Sequence, residues 1–124
     1  MGTTLAVKEL YDIPILTVTG KMDHSSSVAI KNILSSWQEQ GKYRIVLDLG
    51  DADGICYVGV SILIWGLRML RSLSGDIKLV RLRSHMREAF RSVGIEGLFE
   101  NFDSAEEAVE SFQGRGAEMV GRAL

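Results

Sequence analysis

Short apolar runs separated by polar residues and glycines define the strands that the chain predicts. Five segments combine β-branched and apolar residues in the alternating or near-continuous pattern of strands: 5–10, 13–19, 44–49, 77–82 and 98–102. Only Tyr11 and Asp12 separate the first two, which predicts a hairpin whose second strand ends at Gly20. Residues 50–54 are polar and contain glycine, so we expect a loop there.

Apolar residues at i, i+3, i+4 and i+7 predict helices between these strands. The helical segments lie between residues 27 and 41, over about 60–73, over 85–93 and over 105–112. Polar residues typical of N-caps precede three of them: the stretch 24–27, Ser84 and the capping-box stretch 103–106. Strands that alternate with helices favour an α/β fold with a largely parallel sheet. We therefore expect one domain over 1–113, with a mixed sheet of four or five strands, helices mainly on one side, and a mobile tail over 114–124.

Composition and charge describe an ordinary globular chain. Its 124 residues suit a single domain, and 46% of them are apolar and 24% charged. The formal net charge of −2 argues against a nucleic-acid partner, which would require a basic patch. A lone cysteine cannot form an internal disulfide, and the N-terminus has no secretory pattern. The longest apolar stretch, 55–70, is interrupted by glycine, serine and arginine, so we expect a cytoplasmic protein without direct membrane insertion.

Asp48, Asp51 and Asp53 form the acidic cluster that a metal site would use. A calcium loop requires oxygen ligands at its first, third, fifth and twelfth positions and glycine at its sixth. With Asp51 and Asp53 at the third and fifth positions, the first is Leu49 and the twelfth is Val60, so two ligands are missing. We therefore expect a solvated turn that binds no metal.

Cys56 precedes the second predicted helix, where a helix N-terminus would stabilise a thiolate. Neither His24 nor His85 stands at a spacing that identifies it as a base, so we interpret Cys56 as a small buried packing residue. The serines at 25–27 lack the Gly-x-Ser-x-Gly setting of acyl-transfer nucleophiles, and no strand-to-helix loop has nucleotide-binding spacing. The chain is therefore expected to be non-enzymatic and to need no cofactor.

The second predicted helix is apolar almost all round. One set of residues forms a complete core stripe: Val60, Leu63, Ile64, Leu67 and Leu70. A second apolar set, displaced around the helix, consists of Ile62, Trp65 and Met69. Such a helix is either buried on both sides or covered by another protein, and the sequence leaves both alternatives open.

Three stretches, in this order and spacing, carry a resemblance to a known family: 16–24, 45–49 and 86–99. The first resembles the family's strand ending in Gly-x-Leu-Asp-His, and the second its Val-Leu-Asp-Leu strand, with Gly59 at the expected distance. The third resembles its valine–arginine helix and Leu-x-x-Leu-Phe exit. On these motifs, residues 5–113 resemble the STAS family, whose fold is that of bacterial anti-sigma factor antagonists. The resemblance implies non-catalytic protein–protein interaction in signal transduction and transcription regulation.

The family's regulatory motif, Asp-Ser-Ser-Gly, lies before the second helix, and a partner kinase that is also the anti-sigma factor phosphorylates its second serine. The resemblance places that motif on residues 56–59, so Val58 replaces the phosphorylated serine. It implies an anti-sigma factor or a switch-kinase-like partner and leaves a homodimer open. The partner-binding residues that it implies are Asp23, His24, Cys56, Tyr57, Val58, Gly59, Ile62, Trp65 and Met69. The alternative is a scaffold subunit of a stress-signalling complex or the STAS component of a lipid-transport ATPase.

Overall fold

The computed structural model describes residues 2–114, which form a five-stranded sheet and four α-helices. The strands are β1 Thr4–Leu10, β2 Ile13–Met22, β3 Arg44–Ile55, β4 Asp76–Val80 and β5 Asn101–Phe102. The helices are α1 His24–Glu39, α2 Tyr57–Ser72, α3 Ser84–Ser92 and α4 Ala105–Gln113. Apart from Gly114, the predicted tail over 114–124 lies outside the described residues.

The sheet order follows the chain, from β1 at one edge to β5 at the other. β1 and β2 are antiparallel, and the residues between them, Tyr11 and Asp12, have φ of 51° and 64°, as a two-residue hairpin turn requires. β2 to β5 are parallel neighbours. With right-handed crossovers, sequential parallel strands place α1, α2 and α3 on the same face of the sheet. The predicted α/β fold, with a mixed sheet and helices mainly on one side, is confirmed.

Alternate residues of the central strand β3 supply two apolar cores. Ile45, Leu47 and Leu49 belong to the larger core, which α1, α2 and α3 cover. Val46 points to the opposite face and packs in a smaller core with Val109 of α4. β3 is therefore buried on both faces, which explains its near-continuous apolar sequence.

β2 and β3 both extend beyond their predicted ends. β2 continues past Gly20 to Met22, and β3 runs through the stretch 50–54, predicted as a loop, to Ile55. The two strands remain paired along this extension, with Met22 opposite Ile55 and a register shift after Gly20. Cross-strand pairing and the full burial of Met22 stabilise the extension. The local sequence is polar, so it predicts neither the pairing nor the burial.

The starts of the first two helices also differ from the prediction. Asp23 is the N-cap of α1, in place of a side chain from the stretch 24–27, because its carboxylate accepts the N–H of Ser26 at 2.9 Å. α2 begins at Tyr57 and not near residue 60. Residues 57–59, which precede the predicted helix, thus form the first turn of α2.

In the C-terminal third, one strand and two helix caps differ from the prediction. The predicted strand 98–102 is in part a 3-10 turn at Glu96–Leu98, which leaves two residues for β5. Ser84 is the first residue of α3 and not its cap. The cap of α4 lies one residue later than the predicted box over 103–106, because Ser104 Oγ accepts the N–H of Glu107 at 3.2 Å.

Candidate functional site

The starts of α1 and α2 lie side by side at the carboxyl ends of β2 and β3. Met22 and Ile55 are opposite each other in the parallel pair, so the residues that follow them begin the two helices together. The Cys56 N–H donates to the Met22 carbonyl at 2.9 Å, and Ser27 Oγ lies 3.9 Å from Cys56 Sγ. This edge of a parallel sheet is where α/β proteins commonly bind their ligands. The structure thus brings Asp23 and His24 close to the predicted contact residues 56–59.

Asp23 forms a reciprocal capping box with Ser26. Its Oδ1 accepts the Ser26 N–H at 2.9 Å, and the Asp23 N–H donates to Ser26 Oγ at 3.0 Å. The bonds from the backbone and hydroxyl of Ser26 lower the pKa of the Asp23 carboxyl below its usual value. The site therefore presents an exposed carboxylate that is ionised at neutral pH.

Cys56 is the N-cap of α2 and is half-buried. Burial raises the pKa of its thiol, but the N–H groups of Gly59 and Val58 and the hydroxyl of Ser27 favour the thiolate more strongly. The net pKa of Cys56 lies below its usual value. The packing interpretation expected full burial, whereas the structure places the thiol at the rim of an open groove.

His85 contacts the end of the central strand, and His24 is exposed at the start of α1. His85 Nε2 lies 2.8 Å from the carbonyl oxygen of Ala52. Among residues 2–114, no group of three or more His, Cys, Asp or Glu side chains is placed to hold a metal ion. None of the helices described here has the length and apolarity needed to cross a membrane.

Gly59 determines how closely α1 and α2 approach each other. It is buried in the first turn of α2, and a Cβ at this position would lie 2.8 Å from Ile55 Cγ1 and 3.0 Å from Ser27 Oγ. Both distances are shorter than van der Waals contact, so a side chain would push the helix starts apart. The sequence predicted Gly59 as a partner-contact residue that precedes the second helix. The structure buries it between the helices, because α2 already begins at Tyr57.

The remaining predicted contact residues differ widely in exposure. Those exposed to solvent are Asp23, His24, Tyr57 and Trp65. Those that are half-buried are Cys56, Val58 and Met69. Tyr57 is 83% exposed and Trp65 is 36% exposed, so α2 presents two aromatic side chains on its outer surface.

The prediction that Ile62 contacts a partner is wrong. Its side chain is only 6% exposed and packs in the larger core. The core stripe of α2 is rotated from the predicted one and consists of Gly59, Ile62, Leu63, Gly66, Leu67 and Leu70, whereas Val60 and Ile64 are half-buried. Gly66 permits this rotation, because a Cβ there would lie 2.9 Å from Leu34 Cδ1 of α1.

A groove that the sequence did not predict lies between the start of α2 and α3. It encloses about 310 Å³ and is lined by Ile55, Cys56, Tyr57, Val60, Ala89, Ser92 and Val93. Val93, the C-cap of α3, is 39% exposed at this groove. The available signal was its position at the end of α3, where an apolar side chain is no longer held against the sheet.

A family model ties this fold to known proteins. The model of the STAS domain matches residues 4–108, which span all five strands and the first three helices. The chain belongs to the STAS domain family. This STAS protein is anti-sigma factor antagonist-like: it is 27% identical over 109 residues to a Bordetella bronchiseptica protein named "Putative anti-sigma factor antagonist BtrV", covering 88% of this chain and 94% of that one. STAS proteins of this kind are typically non-catalytic.

Solved anti-sigma factor antagonists share the fold of this STAS protein. SpoIIAA of Bacillus in its unphosphorylated form has a TM-score of 0.73 at 20% identity, covering 90% of this chain and 99% of that chain. The phosphorylated form gives 0.71 at 19% identity, covering 88% and 99%. An anti-sigma factor antagonist from Mycobacterium paratuberculosis gives 0.76 at 18% identity, covering 89% and 93%. At these identities the likeness establishes the fold.

Proposed function

We propose that this STAS protein is a non-catalytic, cytoplasmic docking module for an anti-sigma factor or a switch-kinase-like partner, and that no phosphate switches it at residue 58. The observation that carries the proposal is Val58, an aliphatic side chain half-buried in the first turn of α2. The motif resemblance assigns the family's phosphorylated serine to this position, and valine has no hydroxyl. The names of BtrV and SpoIIAA support an anti-sigma factor as the partner.

Phosphate at this position would act on the docking surface more than on the fold. It adds close to two negative charges, and a helix N-terminus stabilises anions. The two forms of SpoIIAA share the fold of this chain, with TM-scores of 0.73 and 0.71. Partner binding is therefore the property that such a charge changes, through desolvation and repulsion at the contact. With Val58 in place, residue 58 carries no charge and the surface stays permanently competent to bind.

The surface around Val58 has the parts of a protein–protein interface. Tyr57, which is 83% exposed, offers an aromatic anchor. The groove beside it, lined in part by Val60 and Val93, can receive an apolar side chain of the partner. The ionised carboxylate of Asp23 adds a hydrogen-bond acceptor at the margin. Apolar centres with polar margins are typical of such interfaces.

Titration calorimetry of the parent, Val58→Asp and Val58→Ser against the anti-sigma factor recovered by pull-down tests the proposal. An unpaired carboxylate in the contact costs about 2–5 kcal/mol, so Val58→Asp should bind about 30-fold or more weakly. Val58→Ser should bind nearly as tightly as the parent. Val7→Asp is the matched control, because it places the same charge on the exposed edge strand β1 and should leave the affinity unchanged.

Two further measurements separate docking from folding and from phosphorylation. The melting temperature of Val58→Asp should stay close to that of the parent, because the new charge lies at a helix N-terminus. The intact mass of the parent should not change after incubation with ATP and the partner. Equal affinity of the parent and Val58→Asp for the anti-sigma factor would refute the docking site at residue 58. An increase in intact mass by one phosphate, located on Tyr57 or Ser61, would show that another residue has taken over the phosphorylation. Recovery of an ATPase or a permease would support the scaffold alternative.

A further inference from the structure

The outer side of α2 carries a second apolar groove, away from the helix starts. It encloses about 620 Å³ and is lined by Ser61, Ile64, Trp65, Arg68 and Met69. Trp65 is 36% exposed, and Ile64 and Met69 are half-buried against the larger core, so the floor is apolar and firmly packed. Trp65 lies about 12 Å along the helix from Tyr57, at 1.5 Å per residue.

α1 forms the adjoining wall of this groove. Lys31 Nζ lies 5.5 Å from the centroid of the Trp65 ring, within cation–π range. One turn earlier on α1, Val28 is 40% exposed. We name the surface made by Val28, Lys31 and the five groove residues the helix-pair face. Both helices contribute to it, so it exists only in the folded protein.

The helix-pair face is positively charged, although the whole chain has a net charge of −2. α2 contains no acidic residue, and α1 contains one, Glu39, at its last position. Within residues 2–114, the side chains of Lys31 and Arg68 make no hydrogen bond and no ion pair. Arg71, by contrast, donates to Asp76 Oδ1 at 3.0 Å. The face therefore presents one cation from each helix beside an exposed tryptophan, with no countercharge from the described part of the chain.

We propose that the helix-pair face binds an acidic amphipathic helix of the partner protein. The apolar side of that helix, with residues at i, i+3 or i+4, and i+7, lies on Trp65 and Met69, as in other helix-in-groove complexes. Carboxylates that flank its apolar stripe pair with Lys31 and Arg68 and supply the missing countercharges. This inference rests on the proposed docking function. It specifies the chemistry of the partner segment and adds a surface separate from Val58.

Other occupants match the face less well. α4 is the acidic helix of this domain, but its apolar side, including Ala108 and Val109, is buried against its own sheet. A second copy therefore cannot offer carboxylates and an apolar stripe from α4 at the same time. Stable attraction to anionic lipid uses clusters of about four to eight Lys or Arg residues, and this face has two such side chains.

Three synthetic peptides of about 15 residues, long enough for a marginally stable helix, probe the face directly. The first carries Leu along one side and Glu along the other, the second has Lys in place of Glu, and the third contains the Leu and Glu residues in scrambled order. The full chain is titrated into each labelled peptide and fluorescence anisotropy is measured. The first peptide should bind at least about tenfold more tightly than either of the others.

Charge-reversal variants distinguish peptide binding at the helix-pair face from nonspecific electrostatic attraction to the rest of the protein. Lys31→Glu and Arg68→Glu should each weaken binding of the acidic peptide by at least about fivefold and strengthen binding of the basic peptide. Arg83→Glu makes the same charge change at an exposed residue before α3, so it is the matched control and should alter neither affinity. Val58→Asp should also leave the affinity for the acidic peptide unchanged, because it lies at the start of α2.

Each other outcome overturns the inference. Equal binding of the acidic and basic peptides, or no binding of the acidic one, removes its chemical basis. A dimer in sedimentation that Lys31→Glu dissociates assigns the face to a second copy, and binding to phosphatidylglycerol vesicles that Arg68→Glu abolishes assigns it to a membrane. If the acidic peptide fails to bind while Val58→Asp weakens binding to the anti-sigma factor, this inference fails and the proposed function stands. If the acidic peptide binds while Val58→Asp has no effect on that factor, the docking site at Val58 fails instead.

Discussion

Replacing each of the two tryptophans by alanine should distinguish a surface anchor from a core residue. Trp37 of α1 is 7% exposed and belongs to the larger core. Trp65 of α2 is 36% exposed, and the ammonium group of Lys31 lies over its ring. The chemical change is the same in both variants, so the difference between their free energies of unfolding reports the two environments.

The burial of each tryptophan determines how much free energy of unfolding its replacement should cost. Truncating a buried tryptophan to alanine costs about 3–5 kcal/mol, because transfer free energy is lost and a cavity remains. We expect this full cost at Trp37. At Trp65 more than a third of the side chain is already in water and no closed cavity forms, so we expect about 1–2 kcal/mol. For a domain of this size 1 kcal/mol lowers Tm by about 4 °C, so Tm should fall by about 4–8 °C in Trp65→Ala and by about 12 °C or more in Trp37→Ala.

Urea unfolding followed by far-UV circular dichroism measures both costs without using tryptophan fluorescence. Equal m-values in the parent and the variants are the control that all three lose the same surface on unfolding. A loss of stability at Trp65 as large as the loss at Trp37 would refute the surface assignment and remove the anchor of the helix-pair face. A negligible loss at Trp37 would contradict its place in the core.

The remaining predictions follow from local geometry. Gly75→Ala should destabilise the protein by about 3 kcal/mol or more, because its Cβ would lie 1.9 Å from the Tyr43 carbonyl oxygen. Gly97→Ala, where the new methyl group has open space, is its control and should shift Tm by less than about 2 °C; equal melting of the two variants would contradict the close approach at Tyr43. Because the pKa of Asp23 is lowered in the fold, its ionised cap stabilises the protein fully above the unfolded-state pKa of about 3.9, and this stabilisation is lost as pH falls through the folded-state pKa. The Tm difference between the parent and Asp23→Asn should therefore diminish below about pH 4, and a difference independent of pH would count against the ionised cap.

The pattern of the chain determined the α/β fold and most of its elements. Two β-rich runs separated by Tyr11 and Asp12 suffice for a hairpin, because so tight a turn permits only antiparallel pairing. The near-continuous apolarity of residues 44–49 indicates a strand covered on both faces, and β3 is such a strand. The three motifs also identified the STAS family, which the match over residues 4–108 confirms.

The sequence could predict where the candidate site lies, but not which of its side chains are exposed. The motifs around Asp23 and residues 56–59 follow successive strands, and parallel pairing of those strands brings the helix starts together. Helical spacing could not distinguish Ile62 from Trp65, because both lie beside the core stripe that the sequence predicted for this helix. The packing of α1 against Gly66 decides that Ile62 is buried and Trp65 exposed.

Tertiary structure alone decided where β2 and β3 end and which residues border the docking surfaces. Pairing carries both strands through polar and glycine positions, because cross-strand hydrogen bonds and burial outweigh weak local strand preference. α3 lies close enough to α2 to form the groove beside Tyr57, and Lys31 reaches Trp65 from another helix. These features join residues that are far apart in the chain, so no local pattern of hydrophobic and polar positions contains them.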